Sequence, residues 1–372
     1  MSSVGDTRGE LTVVVAGGGT AGHIEPALAV GEVLRDDYGA QVIALGTVKG
    51  LDTQLIPARG FDLRLIDPVP VPRKLTADLF RLPGAVQRAV NQVRAVFADV
   101  HADVLVGFGG YVSAPAYLAA MREHLPFFVH EANARAGLAN KLGVRLGGIG
   151  LAAVSGSGIS GDVVGVPVSR QLSSRLSASE VETTRRDAYR LWELDPQRKT
   201  VLVTGGSQGA ASLNRAVAGA VERIVAAGFQ VLHAYGPKNE PPQPISGYVP
   251  VPYIEAMAEA YAVADLIVCR AGAMTVAEVT AAGLPAIYVP LPHGNGEQEL
   301  NARSIIDAGG ASLIHDRDLT SDELATQVIG LLSDDQILDS MRAQAISNKL
   351  GQAAEEIARR VVARVGMAGK QQ

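Results

Sequence analysis

Gly17-Gly18-Gly19-Thr20-Ala21-Gly22 satisfies the spacing G-x-G-x-x-G between a buried-strand pattern, Leu11-Thr12-Val13-Val14-Val15-Ala16, and a helical pattern from about Pro26 to Leu34. Glycines there let the backbone approach a phosphate, and a helix start offers unpaired N–H groups to an anion. Two more turns repeat the arrangement, Gly107-Phe108-Gly109-Gly110 and Gly205-Gly206-Ser207-Gln208-Gly209. One such turn could equally be a plain strand–helix connection. Three of them, each at the C-terminal end of a predicted strand where open α/β sheets bind ligands, point to two anionic ligand portions meeting between two halves. A dinucleotide site also needs an acid at the end of the second strand for the ribose hydroxyls. That end reads Ala44-Leu45-Gly46-Thr47, so NAD or FAD is not expected, and no Gly-Lys-Ser/Thr follows to make a P-loop.

Side chains near the turns could supply proton transfer and sugar recognition. His23 follows the first turn at a helix start, where the helix dipole favours a neutral ring able to accept a proton; a surface or capping histidine is the plain alternative. His130-Glu131-Ala132-Asn133 ends another strand and should face the same ligand, unless its polar groups only satisfy their own loop. Glu278, eight residues after Arg270, could hold a ribose diol or merely complement a helix start. His293-Gly294-Asn295-Gly296-Glu297-Gln298 could bond sugar hydroxyls or be a solvated connection. Asp316-Arg317-Asp318 matches a short metal-binding pattern, but it precedes the helix caps Thr320 and Ser321 and reads as a solvated loop. No metal site is expected: the seven histidines lack ligand spacing and Cys269 is the only cysteine.

The elements that position these residues form two similar halves. Continuous apolar runs (Gln41–Leu45, Val104–Val106, Phe127–His130, then Lys199–Thr204, Val231–Ala234, Leu266–Cys269, Ala286–Val289) alternate with helices, the mark of parallel strands covered on both faces. The halves meet near residues 165–175, a polar helical stretch runs from Ser173 to Trp192, and an amphipathic helix at about Ala353–Val365 closes the chain with no hint of where it docks. The expected division is 1–168, 169–350 and a C-terminal helix and tail at 351–372. With 372 residues, 47% of them hydrophobic, there is ample core for two domains, and the net charge of 33 − 38 = −5 argues against a nucleic-acid partner. Met1 to Arg8 carry no signal-peptide pattern and no run of about 18 apolar residues occurs, so the chain reads as soluble and cytoplasmic. Arg73-Lys74-Leu75-Thr76-Ala77-Asp78-Leu79-Phe80-Arg81-Leu82-Pro83, basic and apolar together, could dock on an anionic membrane or be a core-facing segment with a charged rim.

Taken in order, Gly18-Gly19-Thr20-Ala21-Gly22-His23, Gly107 to Pro115, His130 to Ala134, Gly205 to Ala210 with Asn214, Arg270 to Thr275 with Glu278, and Glu297-Gln298-Glu299-Leu300-Asn301-Ala302 resemble the MurG family of N-acetylglucosaminyl transferases of peptidoglycan synthesis. The likeness runs from about residue 11 to 350. It implies an α/β chain of GT-B fold, two Rossmann-like doubly wound parallel-sheet domains facing across a cleft. It also implies inverting, metal-independent transfer, without a cofactor, from UDP-N-acetylglucosamine to the 4-hydroxyl of the muramyl sugar in lipid I, giving lipid II.

By that resemblance the N-terminal half takes the acceptor, with the turns around Gly19 and Gly109 facing the lipid diphosphate, and the C-terminal half takes the donor. Ser207 and Gln208 would sit near the diphosphate and sugar. Ile254 with Ala273, Met274 and Thr275 would lie near uracil, and Glu278 on the ribose. Gln298 and Asn133 would contact the sugar, with Thr20, Ala21 and Gly22 closing over it, and His23 would be the general base with Glu131 as the fallback. The family reads Gln at Ala132, and Gly-Asn-Pro-Val-Arg where this chain has Gly165-Val166-Pro167-Val168-Ser169-Arg170, so the phosphate arginine is expected one residue late, at Arg170. A peripheral place on the cytoplasmic face of the cell membrane, with cell-wall synthesis and division proteins as partners, is also implied. A GT-B transferase for another glycolipid or natural product, and a nucleotide-sugar-binding protein without activity, are the competing readings; the acceptor-side segments argue against the first and His23 against the second.

Overall fold

A computed structural model describes residues 11–48, 50–69, 78–172, 178–206, 208–292, 296–347 and 352–368. The chain divides into two compact units, Met1–Ser169 with Gln352–Gln372, and Arg170–Gly351. The first contains β1 (Thr12–Gly17), α1 (Ala21–Tyr38), β2 (Gln41–Gly46), α2 (Asp52–Ala58), β3 (Asp62–Leu65), α3 (Asp78–Asp99), β4 (Val104–Gly109), α4 (Ser113–Arg122), β5 (Phe127–Glu131), α5 (Leu138–Arg145), β6 (Ile149–Ala152) and β7 (Asp162–Val163). Its strands lie in the order β3-β2-β1-β4-β5-β6-β7, and each neighbouring pair is parallel.

All six residues of β1 are buried because helices cover both faces. Val13 and Val15 point toward α1, while Val14 and Ala16 point toward α3 and α4, the period-2 alternation of a strand. The helix after the first turn begins at Ala21 rather than Pro26, because Thr20 already has the extended φ −134°, ψ 153° of an N-cap; Pro26 is buried inside the helix and His23 belongs to its first turn.

The second unit contains α6 (Ala178–Leu191), β8 (Thr200–Thr204), α7 (Ala211–Ala226), β9 (Gln230–Ala234), β10 (Tyr248–Val251), α8 (Met257–Val263), β11 (Leu266–Cys269), α9 (Ala273–Ala281), β12 (Ala286–Tyr288), α10 (Glu297–Asp307), β13 (Ala311–Leu313), α11 (Ser321–Leu332) and α12 (Asp335–Ser347). Its parallel sheet has the order β10-β9-β8-β11-β12-β13. In both sheets the chain winds outward from one central strand and returns to that strand's other side. The resulting reversals, β1/β4 and β8/β11, are where open α/β sheets leave a crevice beyond the strand ends.

The closing helix, α13 (Ala353–Ala368), returns to the first unit. Ala354, Ile357, Ala358 and Val361 bury beside α1, and Arg360 pairs with Asp162. No described helix is long and apolar enough to cross a membrane.

Candidate active site

The turns after β1 and β4 interlock at the reversal of the first sheet. A Cβ on Gly110 (φ 81°) would lie 2.2 Å from the Gly18 carbonyl oxygen, and one on Gly109 (φ 97°) 2.9 Å from His23 Cδ2. Only glycine permits that approach and that backbone. The buried Ser113 hydroxyl accepts from Gly109 N–H at 3.0 Å, and its hydrogen is within reach of Ala16 O (2.8 Å) and Gly109 O (2.7 Å). Asp52, fully buried, accepts from Gly19 N–H at 2.7 Å and from Thr47 N–H at 2.8 Å. The N–H groups of Gly19 and Gly109 are therefore already bonded within the protein. An anion would have to use neighbouring donors at the start of α1.

Asp52 was missed by sequence reading, which sought an acid at the end of the second strand. It stands six residues beyond Gly46 and turns inward, so its oxygens serve the protein rather than a ribose.

His23 lies over Gly109 with Nδ1 3.1 Å from Thr20 Oγ1. With Nδ1–H donating to that hydroxyl, the lone pair falls on Nε2. Burial lowers the His23 pKa below its ordinary value, opposed by the carboxylates of Glu131 and then Asp52. Burial works in the direction expected of the helix start, toward the neutral ring. Glu131 is itself committed: one oxygen accepts from Asn133 N–H (2.9 Å) and Asn133 Nδ2 (3.2 Å), the other from Gly137 N–H (3.0 Å) and Asn140 Nδ2 (2.9 Å). It organises the loop that presents Asn133. Asn140 also donates to His130 O and accepts from Tyr117 OH, while His130 Nε2 lies 2.9 Å from Gly165 O.

In the second unit a cavity of about 390 Å³ opens beyond the reversal, lined among others by Gly205, Gly209, Ser212, Arg270, Gln298 and Asp316. Arg270 ties its walls together, donating to Val289 O (3.1 Å), Pro290 O (3.2 Å), Asp316 Oδ1 (2.6 Å) and Ser212 Oγ (2.7 Å). Ser212 passes its own hydrogen to Asp316 at 2.6 Å. Burial pushes the Asp316 carboxyl up, but the bonds from Ser212 and then Arg270 outweigh it and hold the group below its usual range. This corrects the solvated-loop reading of residues 316–318 at its first residue: Asp316 faces inward, its side chain 17% exposed, because Arg270 gives it a partner, while Arg317 and Asp318 are exposed as expected.

Gln298 Oε1 accepts from Ala271 N–H (3.2 Å) and Leu291 N–H (2.9 Å), which fixes its amide at the cavity wall. Ala273, Met274 and Thr275 form the first turn of α9 behind Gly272, with no side-chain cap and no acid there. Glu278, on the same helix, accepts from Tyr261 OH at 2.9 Å. The Ile254 side chain is buried in the core with Tyr261 and Val276, so any uracil contact would use its backbone. Gln208 is exposed, its carbonyl accepting from Asn239 Nδ2 at 3.1 Å. Thr20 and Gly22 are exposed and Ala21 half-buried. Arg170 opens a short 3₁₀ turn, Arg170–Leu172, at the start of the second unit. Ser207, His293 to Asn295 and most of the basic, apolar segment, Arg73 to Ala77, lie outside the described residues.

Two family models match the chain, the glycosyltransferase family 28 N-terminal domain over residues 13–146 and its C-terminal domain over residues 200–357. A UDP-N-acetylglucosamine–N-acetylmuramyl-(pentapeptide) pyrophosphoryl-undecaprenol N-acetylglucosamine transferase of Corynebacterium efficiens is 60% identical over 356 residues, covering 96% of this chain and 98% of that protein. The like-named protein of Corynebacterium glutamicum is 58% identical over 355 residues, with 95% and 99% covered. Among solved structures, Acinetobacter baumannii MurG superposes with a TM-score of 0.71 at 29% identity, covering 94% of this chain and 99% of that one. The two Rossmann-like domains are those of a GT-B enzyme, and the chain belongs to glycosyltransferase family 28.

Proposed function

We propose that this enzyme transfers N-acetylglucosamine from UDP-N-acetylglucosamine to the 4-hydroxyl of the muramyl sugar of undecaprenyl-diphosphate-linked lipid I, giving lipid II for peptidoglycan synthesis. The observation that carries the proposal is 60% identity over 96% of the chain to a relative of that name, with an imidazole lone pair at the reversal of the first sheet to support it. The 4-hydroxyl gives its proton to His23 Nε2 as its oxygen attacks the anomeric carbon. The bond from that carbon to the UDP oxygen breaks on the opposite face, so the configuration inverts. Charge developing on UDP is met by donors of the Gly205–Gly209 turn and by Arg170. Gln208 and Gln298 hold the sugar, Ile254 and the first turn of α9 the uracil, and Glu278 the ribose. Asn133, with Thr20, Ala21 and Gly22, completes the sugar contacts from the first unit. The enzyme docks peripherally on the anionic cytoplasmic face of the cell membrane through the Arg73–Leu82 segment and works beside other cell-wall synthesis and division proteins. What supports docking is the mixture of basic and apolar residues in that segment.

The test is transfer of labelled N-acetylglucosamine to a short-chain lipid I analogue with EDTA present. Wild type should give product, while His23→Ala should lose roughly 10²- to 10⁴-fold in rate and still bind UDP-N-acetylglucosamine. Equal rates would remove His23 from the base role; no product from either would remove the function.

A further inference from the structure

We infer that Asp52 is a positioning residue for the acceptor-side chemistry: its carboxylate clamps the first glycine turn in the shape that lays His23 over Gly109. The inference rests on the reading of His23 as the base. Asp52 is the first residue of α2 and is fully buried. Its Oδ1 accepts from Gly19 N–H at 2.7 Å, and its Oδ2 from the N–H and hydroxyl of Thr47 at 2.8 and 3.1 Å. One carboxylate thereby joins the turn after β1 to the turn after β2. The fit is close on both sides: a Cβ on Gly46 would meet Asp52 Cβ at 2.9 Å, and one on Gly50 would meet Gly19 O at 2.5 Å.

Gly19 holds φ +89° and is followed by Thr20, whose hydroxyl reaches His23 Nδ1. Asp52, Gly19, Thr20 and His23 therefore form one chain of contacts ending at the imidazole. An amide cannot replace the carboxylate, because its NH₂ end would oppose an N–H donor on one side. Among the described residues the carboxylates acting on His23 are Glu131 at the end of β5 and Asp52; both favour the protonated ring, against burial.

Asp52→Asn in the full chain separates this role from plain stability. Three quantities are measured: the His23 imidazole titration by NMR, the pH profile of kcat/KM with a short-chain lipid I analogue, and UDP-N-acetylglucosamine affinity. Loss of a negative charge should move the His23 midpoint down and carry the acidic limb of the profile to lower pH. A displaced turn should cost kcat roughly ten- to a hundredfold, with donor affinity kept within about twofold by the intact second unit. An unchanged His23 midpoint with an unshifted profile would overturn the inference. A moved midpoint with kcat unchanged would reflect the lost charge alone and overturn the clamp, whereas a lost kcat with an acidic limb that does not follow the midpoint would support the clamp and instead sink the base reading. Should Asp52→Asn fail to fold, Thr47→Val keeps the carboxylate and removes one of its bonds. A displaced His23 resonance with a roughly threefold lower kcat is then expected, and an undisturbed resonance would overturn the clamp.

Discussion

The turns after β1 and β8 occupy equivalent places in two similar sheets, yet they are held by opposite chemistries. The first is tied by the buried carboxylate of Asp52, and the ring it carries, His23, feels two carboxylates. The second is tied by amides: Asn239 donates to Gln208 O and Tyr235 O, and Asn214 donates to Tyr235 O. Behind Asn214 stands a neutral imidazole, His233, whose Nε2 lies 3.1 Å from Asn214 Oδ1 and whose Nδ1 lies 2.8 Å from Tyr248 OH. Arg270 then places a guanidinium on the cavity wall. The fold determines where a ligand can sit; the side chains bracing each turn determine the charge a ligand would meet there.

Arg270→Met attacks the second arrangement most directly. It takes the guanidinium from Asp316, which keeps the Ser212 hydroxyl, and frees the Val289 and Pro290 carbonyls; removing one partner of a largely buried pair costs about 3 kcal/mol. Hydrogen exchange should accelerate across β8, β11 and β12 while β1 and β4 keep their protection, and UDP-N-acetylglucosamine binding should fall with it. A loss under about 1 kcal/mol would mean the pair is screened by solvent and would remove the contrast.

Acid should expose the neutral imidazole of the same unit. Burial pushes the His233 pKa down to about 4, so between an unfolded value near 6.5 and 4 the unfolded chain binds a proton that the folded one refuses. Its contribution is fully present above that unfolded value and shrinks as pH falls, at about 1.4 kcal/mol per unit and roughly 3 kcal/mol in all. His233→Gln should flatten the fall in stability between pH 6.5 and 4. His130, fully buried and lowered in the same direction, adds a fall of the same sign in the first unit. A slope unaltered by His233→Gln would show that the ring accepts its proton while folded.

Central strands were legible because burial on both faces leaves an uninterrupted apolar run, as in Val13 to Ala16 and Val201 to Val203. β3 and β10 at the sheet edges, together with β13, were not, since their residues are largely half-exposed and show no such run. The glycine turns and His23 announced themselves by spacing. Asp52 and Asp316 did not, because each acts through a backbone or side-chain partner distant in sequence: Gly19 lies 33 residues from Asp52, and Arg270 lies 46 from Asp316. The docking of α13 on α1 was equally hidden; an amphipathic stripe states that a face is buried but not against what.

The smallest expected effect tests the amide brace itself. Asn239 is half-buried and its NH₂ spans Gln208 O at 3.1 Å and Tyr235 O at 2.9 Å. Asn239→Ala leaves the Gln208 carbonyl to water while Asn214 still holds Tyr235 O, a loss of about 1 kcal/mol, and should lower the melting temperature by roughly 2–4 °C. Because Gln208 then loses its anchor, KM for UDP-N-acetylglucosamine should rise about two- to fivefold with the acceptor KM unchanged. Excess UDP-N-acetylglucosamine should recover part of the lost melting temperature, since a ligand that binds only the folded turn pulls it back into place. A variant that melts early but keeps its donor KM would show that Asn239 supports the unit without shaping the turn. The two turns would then differ in their charge alone, and no longer in how they are braced.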